Sequence, residues 1–362
     1  MPRFLLSAFR CQPIRFLGLL TAVAGGFLFS ACDKKGGTKD WNTPGSAPPP
    51  PTAPAAVPQP SPAPPPPAVP EPAKPTANTD WPESHEPTTS GLRFITYNVE
   101  NWLTMDREIE RKKIPSAPKP EKERDAAARI VSRHQPDVLG ICEIGTPDDL
   151  KDLQARLKAA GLDLPHSHYT GGNDETRHLG LLSRFPITTT HKPEKLDYQL
   201  NGTTYGMNRG IMDATIEARG KTYRFVGVHL KSQREVEEGD QAQMRLQEAH
   251  LLRGHVDSIL AANPNERLIV YGDFNDNWGT PPLKAVVGTY GSPTYLTAIR
   301  AKDRVGVHWT HYWEIRDSYS RLDYITVSQA LRKETEFDRC QIIDPKDWND
   351  ASDHRPVMAH FR

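Results

Sequence analysis

Cysteine is scarce: there are four in 362 residues, with no CxxC and no Cys/His spacing that frames a zinc site. That excludes a small disulfide-stapled scaffold and a zinc-finger module. An excess of one charge is equally lacking, because 45 Lys+Arg stand against 45 Asp+Glu. The strongly basic balance of a tight, non-specific nucleic-acid binder is therefore missing. No internal repeat of solenoid period occurs. The longest apolar stretch, Phe16 to Ala31, has 16 residues, short of the roughly 20 that cross a bilayer as a helix. Proline is the opposite case. Of 34 prolines, 17 fall between Pro44 and Pro82, and a stretch so rich in a residue that fixes φ and has no N–H forms neither helix nor sheet. The foldable part starts near residue 85. Residues 91–362 number 272, enough for one large domain with its own core.

Arg3, Arg10 and Arg15 precede the apolar stretch, which ends in small residues before Cys32. This is the three-part layout of a secretory signal over residues 1–31. Phe29-Ser-Ala-Cys32 resembles a bacterial lipobox, with Phe29 where the pattern usually has Leu. The resemblance implies that Cys32 is lipidated and becomes the mature N-terminus; a plain secretory signal and an uncleaved anchor are the alternatives. Residues 32–84 read as a Pro/Ala-rich disordered tether. Polyproline II rises about 3.1 Å per residue, so positions 44–75 extend on the order of 100 Å, and a ligand for a proline-binding partner is the alternative reading. The expected location is extracytoplasmic, at the bacterial cell envelope, with the membrane reached through the lipid on Cys32 and no obligate protein partner evident. Once the three signal arginines are removed, 42 basic residues face 45 acidic ones. That balance does not exclude a metal enzyme acting on phosphates, since bound cations supply local positive charge that the sequence count omits. In the remaining chain Cys142 and Cys340 are able to bridge, but the apolar strand around Cys142 favours a free buried thiol.

Periodicity in the large domain alternates between strands and helices. Leu92 to Asn98 reads as a strand, Lys122 to His134 as a helix with Ala126, Ala127, Ile130 and Val131 on one face, and Asp137 to Ile144 as a buried strand. A helix near Asp148 to Ala160 follows. Strands are expected at His178 to Ser183, Ile187 to Thr190, Gly210 to Glu217 and Thr222 to Leu230, with a tight hairpin at Gly220-Lys221. Gln241 to Ala262 reads as a long helix, and Leu268 to Gly272, Leu322 to Val327 and Val357 to Phe361 as strands. The fold class is α+β: a four-layer α/β/β/α sandwich of two packed mixed β-sheets flanked by helices.

Acids, amides and histidines recur at the ends of these apolar strands: Asn98, Glu143, His229, Asp273 with Asn275, Asp323, and Asp353-His354. Strand ends along one rim converge on a single site. Alternation places Asp273 and Asn275 on one side of their segment, with Phe274 turned into the core. A lone Asp, Asn or His in such a place is ordinarily a turn, cap or satisfied core residue; the joint pattern reverses that reading. Thr96-Tyr-Asn-Val-Glu-Asn101, Val138 to Glu143, Gly180 to Ile187, Val228-His-Leu-Lys-Ser232, Tyr271-Gly-Asp-Phe-Asn-Asp276, Ser320 to Ile325 and Ser352-Asp-His-Arg-Pro356 together resemble the endonuclease/exonuclease/phosphatase superfamily of metal-dependent phosphoesterases. The seven segments occur in the family's order and span nearly all of 91–362.

The resemblance implies a catalytic domain over 85–362 and a role for each residue. Glu143 is then the principal metal ligand, Asn98 a ligand or its support, and Asp353 the acid beside the metal site. Hard oxygen donors suit Mg²⁺ or Mn²⁺, as one ion or two. Asp273 orients or deprotonates the water, and Asn275 helps hold the phosphate. His229 and His354 sit on the phosphoryl group, and Asp323 orients a catalytic histidine, with a structural pairing to Arg321 as the alternative. Arg177, His178 and Arg209 are candidate substrate contacts, because a guanidinium fork matches phosphate oxygens; surface ion pairing is the bland alternative. The aromatic run His308 to Trp313 reads either as a stacking surface or as core filling through Trp309 and Trp313.

The expected activity is divalent-metal phosphodiester hydrolysis, with nucleic acid as the substrate of a membrane-anchored nuclease. Phospholipid head groups or inositol and sugar phosphates are the alternative substrates, although no long aromatic hairpin for entering a bilayer is evident. A non-catalytic surface binding module that kept the fold is the third reading.

Overall fold

The structure is a computed structural model that describes residues 85–109, 111–234 and 239–362. The expected signal, Cys32 and the tether to residue 84 lie outside the described residues. In chain order come β1 (Leu92–Trp102), the hairpin β2 (Met105–Ile109) and β3 (Lys112–Ala117), α1 (Glu121–Arg133), β4 (Val138–Ile144), α2 (Pro147–Ala159), β5 (His166–Thr170) and β6 (His178–Ser183). Next are β7 (Ile187–Thr190), the hairpin β8 (Asp197–Leu200) and β9 (Thr203–Gly206), β10 (Ile211–Ala218), β11 (Lys221–His229), α3 (Gln241–Ala262), β12 (Leu268–Asp273) and α4 (Pro281–Val287). The chain ends with β13 (Thr297–Ala298), the hairpin β14 (His311–Trp313) and β15 (Ser318–Ser320), β16 (Asp323–Val327), α5 (Gln329–Arg332), β17 (Gln341–Ile342) and β18 (Val357–Phe361).

Two six-stranded mixed sheets result, ordered β17-β18-β1-β4-β6-β5 and β13-β16-β12-β11-β10-β7. Both faces of the central strands are buried, and alternation sends successive side chains to different layers. Phe94, Leu181, Phe225, Ile269 and Ile325 meet between the sheets. Their neighbours Ile95, Leu139 and Ile141 face α1 and α2, where Ala126, Ile130, Leu153 and Leu157 cover them. On the far side Val226, Val228 and Val270 are covered by Leu252 and Val256 of α3 and Leu283 and Val286 of α4. The order of layers is thus α/β/β/α, as expected from the sequence. Each large apolar side chain fully removed from water contributes about 1.5–3 kcal/mol, which is why no disulfide is needed; Cys142 and Cys340 are both buried and free.

Tyr271 sets the spacing between the sheets. Its ring lies over Gly140 of the opposite sheet, where an added Cβ would stand 2.1 Å from a ring carbon. Phe94 meets it edge-on at 4.8 Å between centroids. Helix ends follow their local chemistry: Thr146 and Asp149 form a capping box at the start of α2, and the Asp240 carboxylate accepts from Ala242 and Gln243 at the start of α3. The β10–β11 turn is one residue earlier than expected. Arg219 and Gly220 both have positive φ, 49° and 75°, and Ala218 pairs with Lys221, the geometry of a type I′ hairpin. Core filling by Trp313 is corrected, because it is exposed and belongs to the short β14–β15 hairpin, whereas Trp309 is half-buried against Tyr319 and Trp348.

Candidate active site

The sheet registers bring the polar strand ends together. β1 and β4 run parallel with Asn98 beside Cys142, which places Glu143 one step on. β11 and β12 run parallel with His229 beside Asp273, and β12 pairs antiparallel with β16 so that Asp273 stands opposite Asp323. The segment before β18 then delivers Asp353 and His354. Glu143 is aimed by a local break in the ladder: β4 pairs with β6 at Cys142 and Ile144 but skips Glu143, whose φ is 64°. A bulge of this kind re-aims a side chain, and left-handed φ at a glutamate costs about 1–3 kcal/mol that the surroundings must hold. Here Asn101 N–H donates to Glu143 Oε2 at 2.9 Å and secures it.

Asn98 is the hub. Its Nδ2 donates to Glu143 Oε1 at 3.2 Å and to Asp273 Oδ2 at 3.1 Å, while its Oδ1 accepts from Glu100 N–H at 3.0 Å. His229 Nε2 lies 3.5 Å from Asp273 Oδ2 and 3.8 Å from Glu143 Oε1. His354 Nε2 lies 3.7 Å from Asp273 Oδ2, and its Nδ1 is 2.7 Å from Asp323 Oδ2. Asp323 pairs with His354 and not with Arg321, whose guanidinium donates to the Ile299 carbonyl at 2.7 Å. The Thr310 hydroxyl accepts from the backbone N–H groups of Leu322 and Asp323, and the Ser352 hydroxyl donates to the Asn98 carbonyl and accepts from His354 N–H.

Burial and neighbouring charge set the protonation of these groups. Burial pushes Asp273 up to about 7, with Asp323 and Glu143 adding to the rise and His354 opposing it. Burial would lower His354, but the carboxylate of Asp323 outweighs it and holds the imidazole well above its ordinary value. His229 is held well below, first by burial and then by Arg209, His354 and Arg177. The centre therefore holds one charged imidazole, one neutral imidazole and a carboxyl that resists ionisation. Glu143, Asp273 and Asp323 gather around it; burial comes first in raising Asp273, and the two other acids add to the rise. Three acids beside one charged imidazole, with the hard carboxylate oxygens of Glu143 held in place by Asn98 Nδ2, fit a divalent cation.

The remaining expected residues divide. Asn275 lines the cleft, but its Nδ2 donates to the Leu230 carbonyl and its N–H to Asp273 Oδ1, so it ties the ends of β11 and β12 together. Asp353 meets His311 at 3.6 Å and His354 at 3.9 Å, joining the cluster through the second histidine. Arg177 and Arg209 line the cleft, held by Asn101 at 2.9 Å and by Asp174 at 3.2 Å. His178 is a correction: its ring packs 5.1 Å from Tyr169 and is absent from the cleft lining, because adjacent strand residues face opposite ways.

Three contributors escape sequence reasoning. His311 lines the cleft with its ring 4.6 Å from that of His354, hidden within an aromatic run. Glu248, buried on α3, accepts from Asn208 N–H and Lys231 N–H and so fixes two segments of the cleft wall; a glutamate on the apolar stripe of a helix is the signal it left. Lys119 is buried against Glu100, donating to its carbonyl at 2.9 Å, and Glu100 is pushed up to about 7 by burial and Asp353. The whole cleft has a volume of about 840 Å³.

This fold and this cluster define a metal-dependent phosphoesterase, a hydrolase of ester bonds. The chain belongs to the endonuclease/exonuclease/phosphatase family, which it matches over residues 96–347. That family is divalent-metal dependent. No curated protein matches the sequence. Solved structures share the fold: an endonuclease/exonuclease/phosphatase from Bacteroides vulgatus at 17% identity and TM-score 0.53, covering 75% of this chain and 99% of that one; beta toxin from Staphylococcus aureus at 16% and 0.52, covering 75% and 100%; and truncated TDP2 from Caenorhabditis elegans at 16% and 0.50, covering 75% and 97%.

Proposed function

We propose that the chain is a divalent-metal-dependent nuclease that hydrolyses nucleic-acid phosphodiesters at the bacterial cell envelope, tethered through a lipid on Cys32. The observation that carries this reading is the position of the cluster: Glu143, His229, Asp273 and His354, joined by Asn98 beneath them, meet at a cleft whose walls hold Arg177, Arg209 and Arg234 as well as an aromatic hairpin. A polyanion with aromatic bases matches both kinds of wall.

Bound Mg²⁺ or Mn²⁺, held by Glu143 with Asn98 as its support and Asp353 as the further acid, would supply neutralisation of phosphoryl oxygens and of the leaving oxygen. The chain's own groups do the rest. Asp273 takes a proton from the attacking water at Oδ2, its Oδ1 being fixed by Asn275 N–H. Neutral His229 presents Nε2 toward the centre and donates to a phosphoryl oxygen. His354, kept protonated by Asp323, donates from Nε2 to the phosphoryl group as charge moves to the leaving oxygen. Arg177 and Arg209, each steadied by a partner, bind flanking phosphates.

A second reading, hydrolysis of a phospholipid head group, is favoured by the exposure of Trp313 and Ile315 at 42% and 87%. The test is a substrate panel with the full chain: single- and double-stranded DNA and RNA, phosphomonoesters and sphingomyelin vesicles, with EDTA and metal add-back. Metal-dependent nucleic-acid cleavage is expected. No product from any nucleic acid overturns the reading, and faster turnover of sphingomyelin or a phosphomonoester selects the second.

A further inference from the structure

The β14–β15 hairpin has two unlike faces. Tyr312 and Tyr319 are cross-strand partners and stack at 4.7 Å, backed by Trp309 at 4.8 Å from Tyr319. The other face carries the pairs His311–Ser320 and Trp313–Ser318, and all four residues line the cleft. Arg316 sets its guanidinium 4.7 Å from the Trp313 ring centroid, a cation–π contact that steadies the ring and adds positive charge beside it. We propose that this face is a nucleobase subsite, with Trp313 as the platform on which the base next to the scissile phosphate stacks.

The hairpin is joined by backbone to the catalytic segment. Tyr312 N–H donates to the Asp353 carbonyl at 3.0 Å, Arg355 N–H donates to the Thr310 carbonyl at 2.6 Å, and His311 forms a β-bridge with His354. His311 therefore stands against His354, and Trp313 lies two residues further along the same strand face, about 7 Å on. A nucleoside spans that gap, so a base on Trp313 leaves its phosphate at the catalytic histidines. Ser318 and Ser320 offer hydroxyls to base edges along the same face. Arg177, Arg209 and Arg234, which line the same cleft, meet the neighbouring phosphates. A lipid occupant fits less well, because Glu314, Arg316 and Asp317 form the hairpin's end, and charged groups are expensive to place in hydrocarbon. Bases already splayed from a duplex reach the platform most readily, so single strands are the preferred form.

This inference rests on nucleic acid being the substrate, and the experiment separates the two claims. The full chain with Mn²⁺ is given a single-stranded oligonucleotide and a same-length oligomer of base-free tetrahydrofuran residues, alongside sphingomyelin vesicles. Wild type is expected to prefer the base-bearing strand. Trp313→Ala should lower kcat/KM on it about tenfold to a hundredfold, mainly through KM, and collapse the preference, while Trp313→Phe keeps most of it. Equal cleavage of both oligomers by wild type, or equal loss on both in Trp313→Ala, overturns the subsite and leaves the nuclease standing. Cleavage of neither, with Trp313-dependent turnover of the vesicles, overturns both.

Discussion

His354 Nδ1 stands 2.7 Å from Asp323 Oδ2, with both side chains buried at the point where β16 meets the segment before β18. The pair holds a proton on the imidazole against the desolvation that would remove it. Asp323→Asn keeps the shape and removes the charge. Activity should fall by roughly 10²–10⁴-fold, and the alkaline limb of the kcat profile should move to lower pH as the imidazolium loses its counter-charge. The check is a pH–rate series on both proteins, with circular dichroism to show the fold intact.

Asp273 gives a test of site charge in the metal-free protein. Its folded pKa of about 7 lies above the unfolded value near 4, so the folded state binds the extra proton between them. Its contribution to stability is full below about pH 4 and is lost as pH rises through about 7. In EDTA, Asp273→Asn should be more stable than wild type at pH 8, by on the order of a few kcal/mol, and the gap should close toward pH 4. Added Mn²⁺ should raise the wild-type Tm more than the variant's. Thermal melts across pH with and without metal measure all of this.

Much of this was legible in the sequence because the fold writes itself in period-two burial. Phe94, Phe225 and Ile269 alternate with Ile95, Val226 and Val270, and those two sets are the two faces of the sheets. The site residues sit at ladder ends, where hydrophobic alternation stops and a polar residue needs another reason to be present. What was not legible was three-dimensional turning. Arg177 and His178 are adjacent in sequence and similar in chemistry, yet one faces the cleft and the other Tyr169. Nor does sequence reveal that Glu143 sits in a bulge, since a left-handed φ at glutamate has no compositional mark. The β14–β15 hairpin is too short to show alternation, so Trp313 reads equally well as core.

Three histidines, His85, His134 and His360, should weaken the fold in acid. The rings of His85 and His134 lie 5.0 Å apart, Arg93 and Arg339 add to the repulsion at His85, and the same two arginines with His85 act on His360. Burial comes first in lowering each of them, to about 4 for His85 and about 3 for His360. Depressed histidines are neutral in the fold and protonated in the unfolded chain between these values and about 6.5. Stability should therefore be full above about pH 6.5 and fall as pH drops toward 3–4. His360→Gln should flatten that limb in a Tm-against-pH series, with the neutral-pH activity retained.

The packing of Tyr271 on Gly140 can be tested by filling the space. A Cβ at position 140 would meet the ring at 2.1 Å, and the neighbouring Gly227 leaves only 2.7 Å to the same ring. The ring is fully buried between the sheets and cannot swing to solvent. Gly140→Ala should therefore destabilise by about 1–3 kcal/mol through overpacking, measured by urea unfolding. Tyr271→Leu alone should also destabilise, by leaving a cavity. In the double variant the added methyl occupies part of that cavity, so the combined loss should be smaller than the sum of the two by roughly 1 kcal/mol or more. Strict additivity would mean that the two sheets separate freely to accommodate the methyl, and that Tyr271 does not set their spacing. Because β4 ends at Glu143 and β12 at Asp273, Gly140→Ala should also loosen the site, lowering kcat while Tm changes only by the amount that unfolding predicts.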